Sequence, residues 1–182
     1  MAVKFDEINE AHKEFVERQK MFFIGSAGAE GFINVSPKGM DTLKIVAKNR
    51  VIWLNHTGSG NETSAHVQEN GRMTIMWCSF EKKPLILKFY GTATVIHEQD
   101  ERYKEMCEHF DEFVGTRQFF ELTVDLVLTS CGFGVPRYKY LGERNALLKW
   151  ATKVGREGMK KYWEEKNQIT LNGKPTNIIQ FK

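Results

Sequence analysis

The sequence alternates between short apolar runs and turns that contain glycine or asparagine, a pattern typical of a strand-rich fold. Apolar runs of strand length stand at 21–27, 31–36, 43–47, 51–56, 72–78, 85–96 and 119–130. Because most of these runs are separated by only a few residues, hairpin connections dominate, and we expect a mostly antiparallel sheet of about six or seven strands. Such a sheet avoids exposed edges by curling into a barrel.

Three of these runs carry further information about the sheet. Apolar and polar residues alternate in the run 119–130, which predicts a strand with one apolar face. The residues of that face are Phe120, Leu122, Val124, Leu126 and Leu128. The run 72–78 is apolar on both faces except at Thr74, which predicts a central strand. Gly91, inside the run 85–96, predicts a bulge or a close backbone approach.

Helical spacing of apolar residues is found in the segments 6–19, 61–70, 98–114 and 143–167. Gly71 ends the second of these helices, and Gly155 predicts a break in the last. Because no internal repeat or linker interrupts the chain, we expect a single domain over residues 1–182. Its predicted fold class is mainly β with peripheral helices. The peripheral helices include an N-terminal helix within 1–20 and a helical C-terminal extension over 141–182.

Composition and charge narrow the classes of function. Of 182 residues, 41% are hydrophobic and 27% charged, as in a globular domain. A formal net charge of +3 is far from the balance of a dedicated nucleic-acid binder, so no nucleic-acid partner is expected. No apolar run reaches the about 18 residues of a membrane span. The charged N-terminal residues lack the apolar core of a signal peptide, so we expect a cytoplasmic protein.

The cysteines give the same expectation for the compartment. Cys78, Cys107 and Cys131 are widely spaced and odd in number, which argues against a disulfide framework and fits a reducing cytosol. Neither a CxxC nor an HExxH pattern is present, so no metal site is expected.

The segment TGSGNETS, residues 57–64, lies between a predicted strand and a predicted helix. Gly58 and Gly60 allow backbone N–H groups to converge on one point, and Asn61 is a favourable N-cap residue. Unpaired N–H groups and the helix dipole favour an anion at a helix start. Glu62, however, brings a negative charge to the same helix end. The segment therefore predicts either an anion site or a simple capped turn.

A second candidate is the segment INVSPKG, residues 33–39. A strand is expected to end at Ser36, because Pro37 has no N–H and interrupts the hydrogen-bond ladder. If this strand end lies near the glycine turn, Lys38 supplies the cation that a phosphate needs. The alternative is a solvated lysine at an ordinary strand exit.

A third candidate is the segment TSCGFGVPRYKY, residues 129–140, which reads as a rigid irregular loop. Its glycines let the backbone approach a flat ligand, and Arg137 and Tyr138 offer a cation and a polar aromatic ring. Cys131 is either a redox thiol or a structural cysteine, since no neighbouring base or second thiol is evident in the sequence.

The motifs NVSPKG, TGSGNET and SCGFGVP, in this order, resemble those of the pyridoxamine 5'-phosphate oxidase-related flavoproteins, the FMN-binding split-barrel family. The resemblance covers roughly Met21 to Pro175 and implies an antiparallel split β-barrel. It also implies FMN as cofactor and a homodimer with flavin sites at the subunit interface, the flavin phosphate lying near the strand–turn–helix segment. The expected cofactor-binding residues are Asn34, Val35, Ser36, Pro37, Lys38, Gly39, His56, Thr57, Gly58, Ser59, Gly60, Asn61, Thr63, Cys131, Gly132 and Arg137.

The chain departs from the pattern of true pyridoxamine phosphate oxidases at two places. Those enzymes have Arg and Lys in the turn where this chain has Glu62 and Thr63, and they carry a C-terminal Arg-x-Arg-Leu-x-Pro run that is absent here. We therefore expect an FMN-dependent oxidoreductase with another substrate and a homodimeric assembly. The alternatives are a true pyridoxamine or pyridoxine phosphate oxidase, and a non-catalytic carrier or sensor of flavin, deazaflavin or haem. No catalytic acid or base can be named from the sequence.

Overall fold

The computed structural model describes residues 2–179, which form one large antiparallel sheet with helices around it. Its strands are β1 (Val3–Phe5), β2 (Phe22–Ser26), β3 (Asn34–Lys38), β4 (Leu43–Ala47), β5 (Arg50–His56), β6 (Arg72–Cys78), β7 (Ile86–Ile96) and β8 (Thr116–Ser130). Its helices are α1 (Glu10–Arg18), α2 (Glu62–Asn70), α3 (Tyr103–Cys107) and α4 (Ala146–Lys166). The predicted class, mainly β with peripheral helices, is confirmed.

The strands follow the order β3-β2-β6-β7-β8-β5-β4, and β1 pairs with β8. Every strand pair is antiparallel, and β6 lies between β2 and β7, as its apolar sequence predicts. Over residues 2–179 the sheet is not closed, because β3 and β4 end the path without pairing with each other. The architecture is that of a split barrel.

The position of β3 at the sheet edge corrects one expectation. The strand does not end at Ser36, since Pro37 pairs with Phe23 and Lys38 pairs with Phe22. An edge strand needs hydrogen bonds on one side only, so a proline is tolerated there. Lys38 is therefore part of the sheet and not of a loop that follows the strand.

The main core fills the inside of the curved sheet. Its largest side chains are Trp53, Trp77, Phe89 and Phe120, all at most 2% exposed. A second apolar cluster lies under α3, and a third joins α4 to the chain after it through Ala151, Met159, Trp163 and Ile178.

A bulge between β7 and β8 changes the predicted face of β8. Tyr90 pairs with Leu126 and Gly91 with Val124, so Asp125 has no partner. One extra residue reverses the alternation, and Val127 is buried while Leu126 is only half-buried. The prediction of a single apolar face as far as Leu128 is therefore wrong.

Gly91 makes this bulge possible, as its place inside a strand predicts. A Cβ atom at Gly91 would overlap the carbonyl oxygen of Thr123 on β8. The strands approach so closely here that only glycine fits.

The helix predicted over 98–114 is much shorter in the structure, because only Tyr103–Cys107 is helical. The two following aromatic residues contact different neighbours. Phe110 packs against Phe119, with ring centroids 5.7 Å apart, whereas Phe113 packs edge-on against His56 at 4.4 Å. Because the backbone between Phe110 and Phe113 is irregular, their rings lie on different neighbours. In one continuous helix they would share a face.

The predicted C-terminal extension is helical only in part. The helix α4 begins at Ala146 and bends at Gly155, whose φ is 70°, as the sequence predicts. From Asn167 onward the chain forms a short hairpin with a bridge between Ile169 and Pro175. We call residues 167–179 the C-terminal hairpin. Within residues 2–179 no helix is long and apolar enough to cross a membrane.

Candidate functional site

A cavity of about 600 Å³ opens between the edge strand β3, the strand β5, the start of α2 and the C-terminal hairpin. It is referred to below as the β3–β5 cavity. Its size lies in the range of small-molecule sites. It is lined by Asn34, Ser36, Lys38, Trp53, Asn55, His56, Gly58, Ser59, Gly60, Asn61, Glu62, Thr63, Arg117, Lys166, Ile169, Thr170 and Leu171.

Three cationic residues line this cavity, and none has a carboxylate partner among residues 2–179: Lys166 is exposed, whereas Lys38 and Arg117 lie deeper. Burial, together with repulsion from Arg117, lowers the pKa of Lys38 to about 8. The Lys38 Nζ lies 5.2 Å from the centre of the Trp53 ring. Arg117, on β8, is only 3% exposed, and burial lowers the pKa of its guanidinium as well. A half-buried lysine and a buried arginine that line one cavity without carboxylate partners in the described residues favour an anionic ligand.

Arg117 and Asn167 orient the glycine turn from behind. Arg117 Nη1 donates to the carbonyls of Gly60 at 2.9 Å and Gly58 at 3.4 Å, and Asn167 Nδ2 donates to those of Gly58 at 3.1 Å and Ser59 at 3.4 Å. In a trans peptide the N–H points opposite to the carbonyl. The N–H groups of Ser59, Gly60 and Asn61 therefore point away from the guanidinium, and they form no hydrogen bond within the described chain.

The glycines of the turn contribute differently from what the sequence suggests. Neither Gly58 nor Gly60 has a positive φ. A Cβ atom at Gly58 would meet nothing within 4 Å, and one at Gly60 would lie 3.8 Å from the Glu62 carboxylate. The orientation of the turn therefore comes from Arg117 and Asn167, and the missing side chains leave open space in front of the amides.

Asn61 occupies the N-cap position of α2, as predicted, but its side chain does not cap the helix. It exchanges two hydrogen bonds with Gln118, at 2.8 and 3.3 Å. The Thr63 hydroxyl accepts from Asn34 Nδ2 at 3.0 Å and contacts Ser26 Oγ at 3.3 Å. These contacts tie the helix start to β2, β3 and β8. The Asn61 side chain does not cap the helix, and the Ser64 N–H donates to the Asn61 carbonyl at 3.1 Å.

Four buried polar atoms around the cavity have no hydrogen-bond partner in the part of the chain that the structure describes: Trp53 Nε1, Asn55 Oδ1, His56 Nδ1 and Arg117 Nε. Each such atom costs roughly 1–3 kcal/mol when unsatisfied. Burial, with repulsion from Lys38 and Arg117, lowers the pKa of His56 to about 4, so its ring is neutral at physiological pH. This set of donors and acceptors fits a polar ligand that carries an anionic group.

Other predicted site residues lie outside the cavity lining. Val35 and Pro37 are exposed on the other side of β3, and Gly39 borders a separate small cavity. Thr57 is buried beneath the turn, where its hydroxyl accepts from Trp163 Nε1 at 2.8 Å and donates to the Gly115 carbonyl at 3.0 Å. Thr57 supports the turn from below and does not face the cavity.

The loop with Cys131, Gly132 and Arg137 follows the far end of β8, and these three residues do not line the cavity. Because β8 has 15 residues and Arg117 stands near its start, the loop is separated from the cavity by almost the whole strand. Gly132 has a φ of 65°, which requires glycine at this turn. Within one chain, the third predicted segment therefore does not join the other two.

Several cavity residues were not predicted from the sequence. Trp53 and Asn55 belong to a predicted strand, Arg117 precedes the alternating run 119–130, and Ile169, Thr170 and Leu171 are far away along the chain. The sole signal is the charge of Arg117 next to that run, and this signal does not reveal which turn the arginine contacts.

A second cavity, of about 850 Å³, shares His56 with the first. Apolar and aromatic residues contribute to its wall, among them Leu54, Phe110, Phe113 and Tyr140. The two cavities together provide room for two small molecules on either side of one neutral histidine. No group of three or more His, Cys, Asp or Glu side chains within residues 2–179 could hold a metal ion.

The sequence is similar to a known protein family and to a curated protein. The family model described as pyridoxamine 5'-phosphate oxidase matches residues 8–131. The pyridoxamine 5'-phosphate oxidase family protein ustO of Aspergillus flavus is 37% identical over 141 residues, which is 75% of this chain and 57% of that protein. The chain thus spans little more than half the length of this curated relative.

Solved structures share the fold at low sequence identity. A variant of HupZ from Group A Streptococcus superposes with a TM-score of 0.54 at 18% identity, covering 68% of this chain and 99% of that one. A Lactobacillus delbrueckii protein provisionally named a pyridoxamine 5'-phosphate oxidase gives 0.55 at 16% identity, covering 68% and 94%. These likenesses establish the fold alone.

Proposed function

The chain belongs to the pyridoxamine 5'-phosphate oxidase family, and from this premise we propose that it binds FMN in the β3–β5 cavity and acts as an FMN-dependent oxidoreductase. The observation that carries the proposal is a half-buried lysine, Lys38, and a buried arginine, Arg117, both lining the cavity and both without a carboxylate partner in the described chain. They face the same cavity as the uncapped amides of the glycine turn. This combination is suited to a phosphate monoester.

The residues of the cavity divide into two groups by chemistry. Lys38 and the amides of Ser59 and Gly60 would hold the phosphate, with Arg117 supporting them from behind. The apolar side chains of Ile169 and Leu171, which are 58% and 83% exposed, offer surface to a flat ring system. A bound flavin would supply the electron-transfer chemistry, while the protein supplies binding and electrostatics.

A homodimer is part of the proposal, because the described chain leaves apolar surface uncovered. Phe32, Ile33 and Val35 next to or on β3 are 72%, 74% and 64% exposed. In the loop after β8, Phe133 and Tyr138 are 81% and 67% exposed. A second copy covering these surfaces would bury them and would offer the loop containing Cys131, Gly132 and Arg137 a cavity to approach.

The physiological substrate is proposed to differ from a B6 vitamer. The turn carries Glu62 and Thr63 where pyridoxamine phosphate oxidases have Arg and Lys, and the C-terminal hairpin brings the apolar residues Ile169 and Leu171 to the cavity. The second cavity, which shares His56, has the volume for a substrate or an electron donor. The three free cysteines fit a cytoplasmic location, which we propose on that ground.

Absorption spectroscopy of the purified protein, followed by mass identification of the released ligand, tests the cofactor. We expect flavin bands and a released mass equal to that of FMN. A Soret band would identify the cofactor as haem, and a deazaflavin mass would identify it as deazaflavin. If FMN is bound but neither NADH nor NADPH bleaches it under anaerobic conditions, and reduced flavin transfers no electrons to added acceptors, the protein is a carrier or sensor.

A further inference from the structure

Glu62 is an acidic side chain inside a cavity that is otherwise suited to an anion. It lines the β3–β5 cavity together with Lys38 and Arg117, yet it forms an ion pair with neither. Its carboxylate instead accepts the backbone N–H of Leu171, at 3.2 Å to Oε1 and 3.3 Å to Oε2. Among residues 2–179, the Leu171 N–H of the C-terminal hairpin is thus the hydrogen-bond partner of this carboxylate.

The hairpin is fixed well enough to hold that N–H in place. The Thr176 hydroxyl donates to the carbonyl of Asn167 at 2.5 Å, and the Ser64 hydroxyl of α2 donates to the carbonyl of Thr176 at 2.8 Å. Within the hairpin the Thr170 N–H donates to the carbonyl of Lys174 at 2.9 Å, and Lys174 pairs with Glu69 on α2. The hairpin is thus attached to the helix that carries Glu62.

We propose that Glu62 and the Leu171 N–H form a latch that sets the selectivity of the site for phosphorylated over unphosphorylated ligands; this rests on the proposed function. With the latch formed, the carboxylate is held at the hairpin and the cavity presents Lys38 and Arg117 to a phosphate. With the latch broken, the carboxylate is free to turn toward Lys38 and compete with the phosphate for that cation. Both residues act as specificity-determining residues, through the position of one charge.

Two substitutions at the same position separate charge from position. Glu62→Asp keeps the charge but shortens the side chain by one methylene, so it loses the contact with Leu171. Glu62→Gln removes the charge and keeps an acceptor for the N–H. We expect the FMN Kd to rise about tenfold in Glu62→Asp and to stay equal or fall in Glu62→Gln, while the riboflavin Kd changes in neither.

Substitution of the donor gives an independent arm. Leu171→Pro removes the N–H and should lower the ratio of riboflavin Kd to FMN Kd as Glu62→Asp does, and adding Glu62→Gln to it should restore the wild-type ratio. Leu171→Ala, the matched control, keeps the N–H and should leave the ratio of riboflavin Kd to FMN Kd unchanged. Thermal unfolding shows whether each variant is folded. If Leu171→Pro is poorly folded, the comparison of Glu62→Asp with Glu62→Gln decides the test.

The proposal is overturned if Glu62→Asp binds FMN as tightly as wild type, or if Glu62→Gln is weakened as much as Glu62→Asp. Hydrogen exchange at the Leu171 amide gives a readout without flavin, and we expect it to be faster in Glu62→Ala than in wild type. Equal exchange rates would overturn the latch. If wild type binds neither flavin, the proposed function fails. In that case the latch is tested with pyrophosphate, whose binding is followed by tryptophan fluorescence. We expect Glu62→Asp to weaken pyrophosphate binding and Glu62→Gln to leave it equal or stronger. The latch is refuted if the variants do not follow this order.

Discussion

Removal of the Lys38 charge, by pH or by substitution, is the most direct perturbation of the candidate phosphate site. Its pKa is lowered to about 8 by burial and by Arg117. Lys38 would therefore be about 90% protonated at pH 7 and about 10% protonated at pH 9. The second pKa of a phosphate monoester is near 6, so the FMN phosphate is a dianion over this whole range. The pH dependence between 7 and 9 then reports the protein cation.

The sign and size of the effect follow from this titration. A bound phosphate favours the protonated lysine, so FMN binding takes up a proton above pH 8 and the affinity falls by up to about tenfold per pH unit there. A charge-assisted contact is worth about 1.5–3 kcal/mol, so Lys38→Ala should weaken FMN binding by about 10- to 150-fold at pH 7 and flatten the profile above pH 8. Lys38→Arg keeps its charge at pH 9 and should also give a flat profile, at higher affinity.

Fluorescence titration of apoprotein with FMN and with riboflavin measures these changes. Riboflavin has no phosphate, so its affinity should be insensitive to pH and to Lys38→Ala. If Lys38→Ala weakens both flavins equally, Lys38 contacts the ring or the ribityl chain and the phosphate assignment is wrong. A wild-type FMN profile that is flat from pH 7 to 9 would likewise refute the assignment.

Further predictions concern assembly, substrate and fold. Light scattering should give about twice the chain mass of 21.1 kDa, and a monomer at micromolar concentration would contradict the homodimer. Pyridoxamine phosphate should yield no hydrogen peroxide above a control with free FMN; clear turnover would restore the B6 oxidase alternative. Gly91→Ala should lower the free energy of unfolding in urea by more than about 3 kcal/mol, because the new Cβ overlaps Thr123. Gly58→Ala is the control: a Cβ there meets nothing within 4 Å, so the free energy of unfolding should change by less than about 0.5 kcal/mol. An unstable Gly58→Ala would show that the turn depends on glycine.

The strands and their connections could be predicted from the sequence because their signals are local. Alternation of apolar residues, short glycine-containing turns and the helix stop at Gly71 depend on neighbouring residues only. The break at Gly155 and the close approach at Gly91 were both anticipated on this basis. The same local signals brought Lys38 and the glycine turn forward as candidates, and the structure places both in one cavity.

Other features depend on contacts between distant segments, which local patterns do not encode. The face of β8 reverses because Asp125 is bulged opposite a partner strand, and the helix predicted over 98–114 is limited to α3 because its aromatic residues pack on separate neighbours.

Within the candidate site, the sequence by itself determined the residue types of the turn and of β3. The direction of the turn amides was decided by Arg117, 57 residues from Gly60, and by Asn167, 109 residues from Gly58. The position of the Glu62 charge was likewise decided by Leu171, 109 residues away. Charge and hydrogen-bonding capacity belong to single residues, but the direction of a donor and the burial of a cation arise only when the sheet, α4 and the C-terminal hairpin pack together.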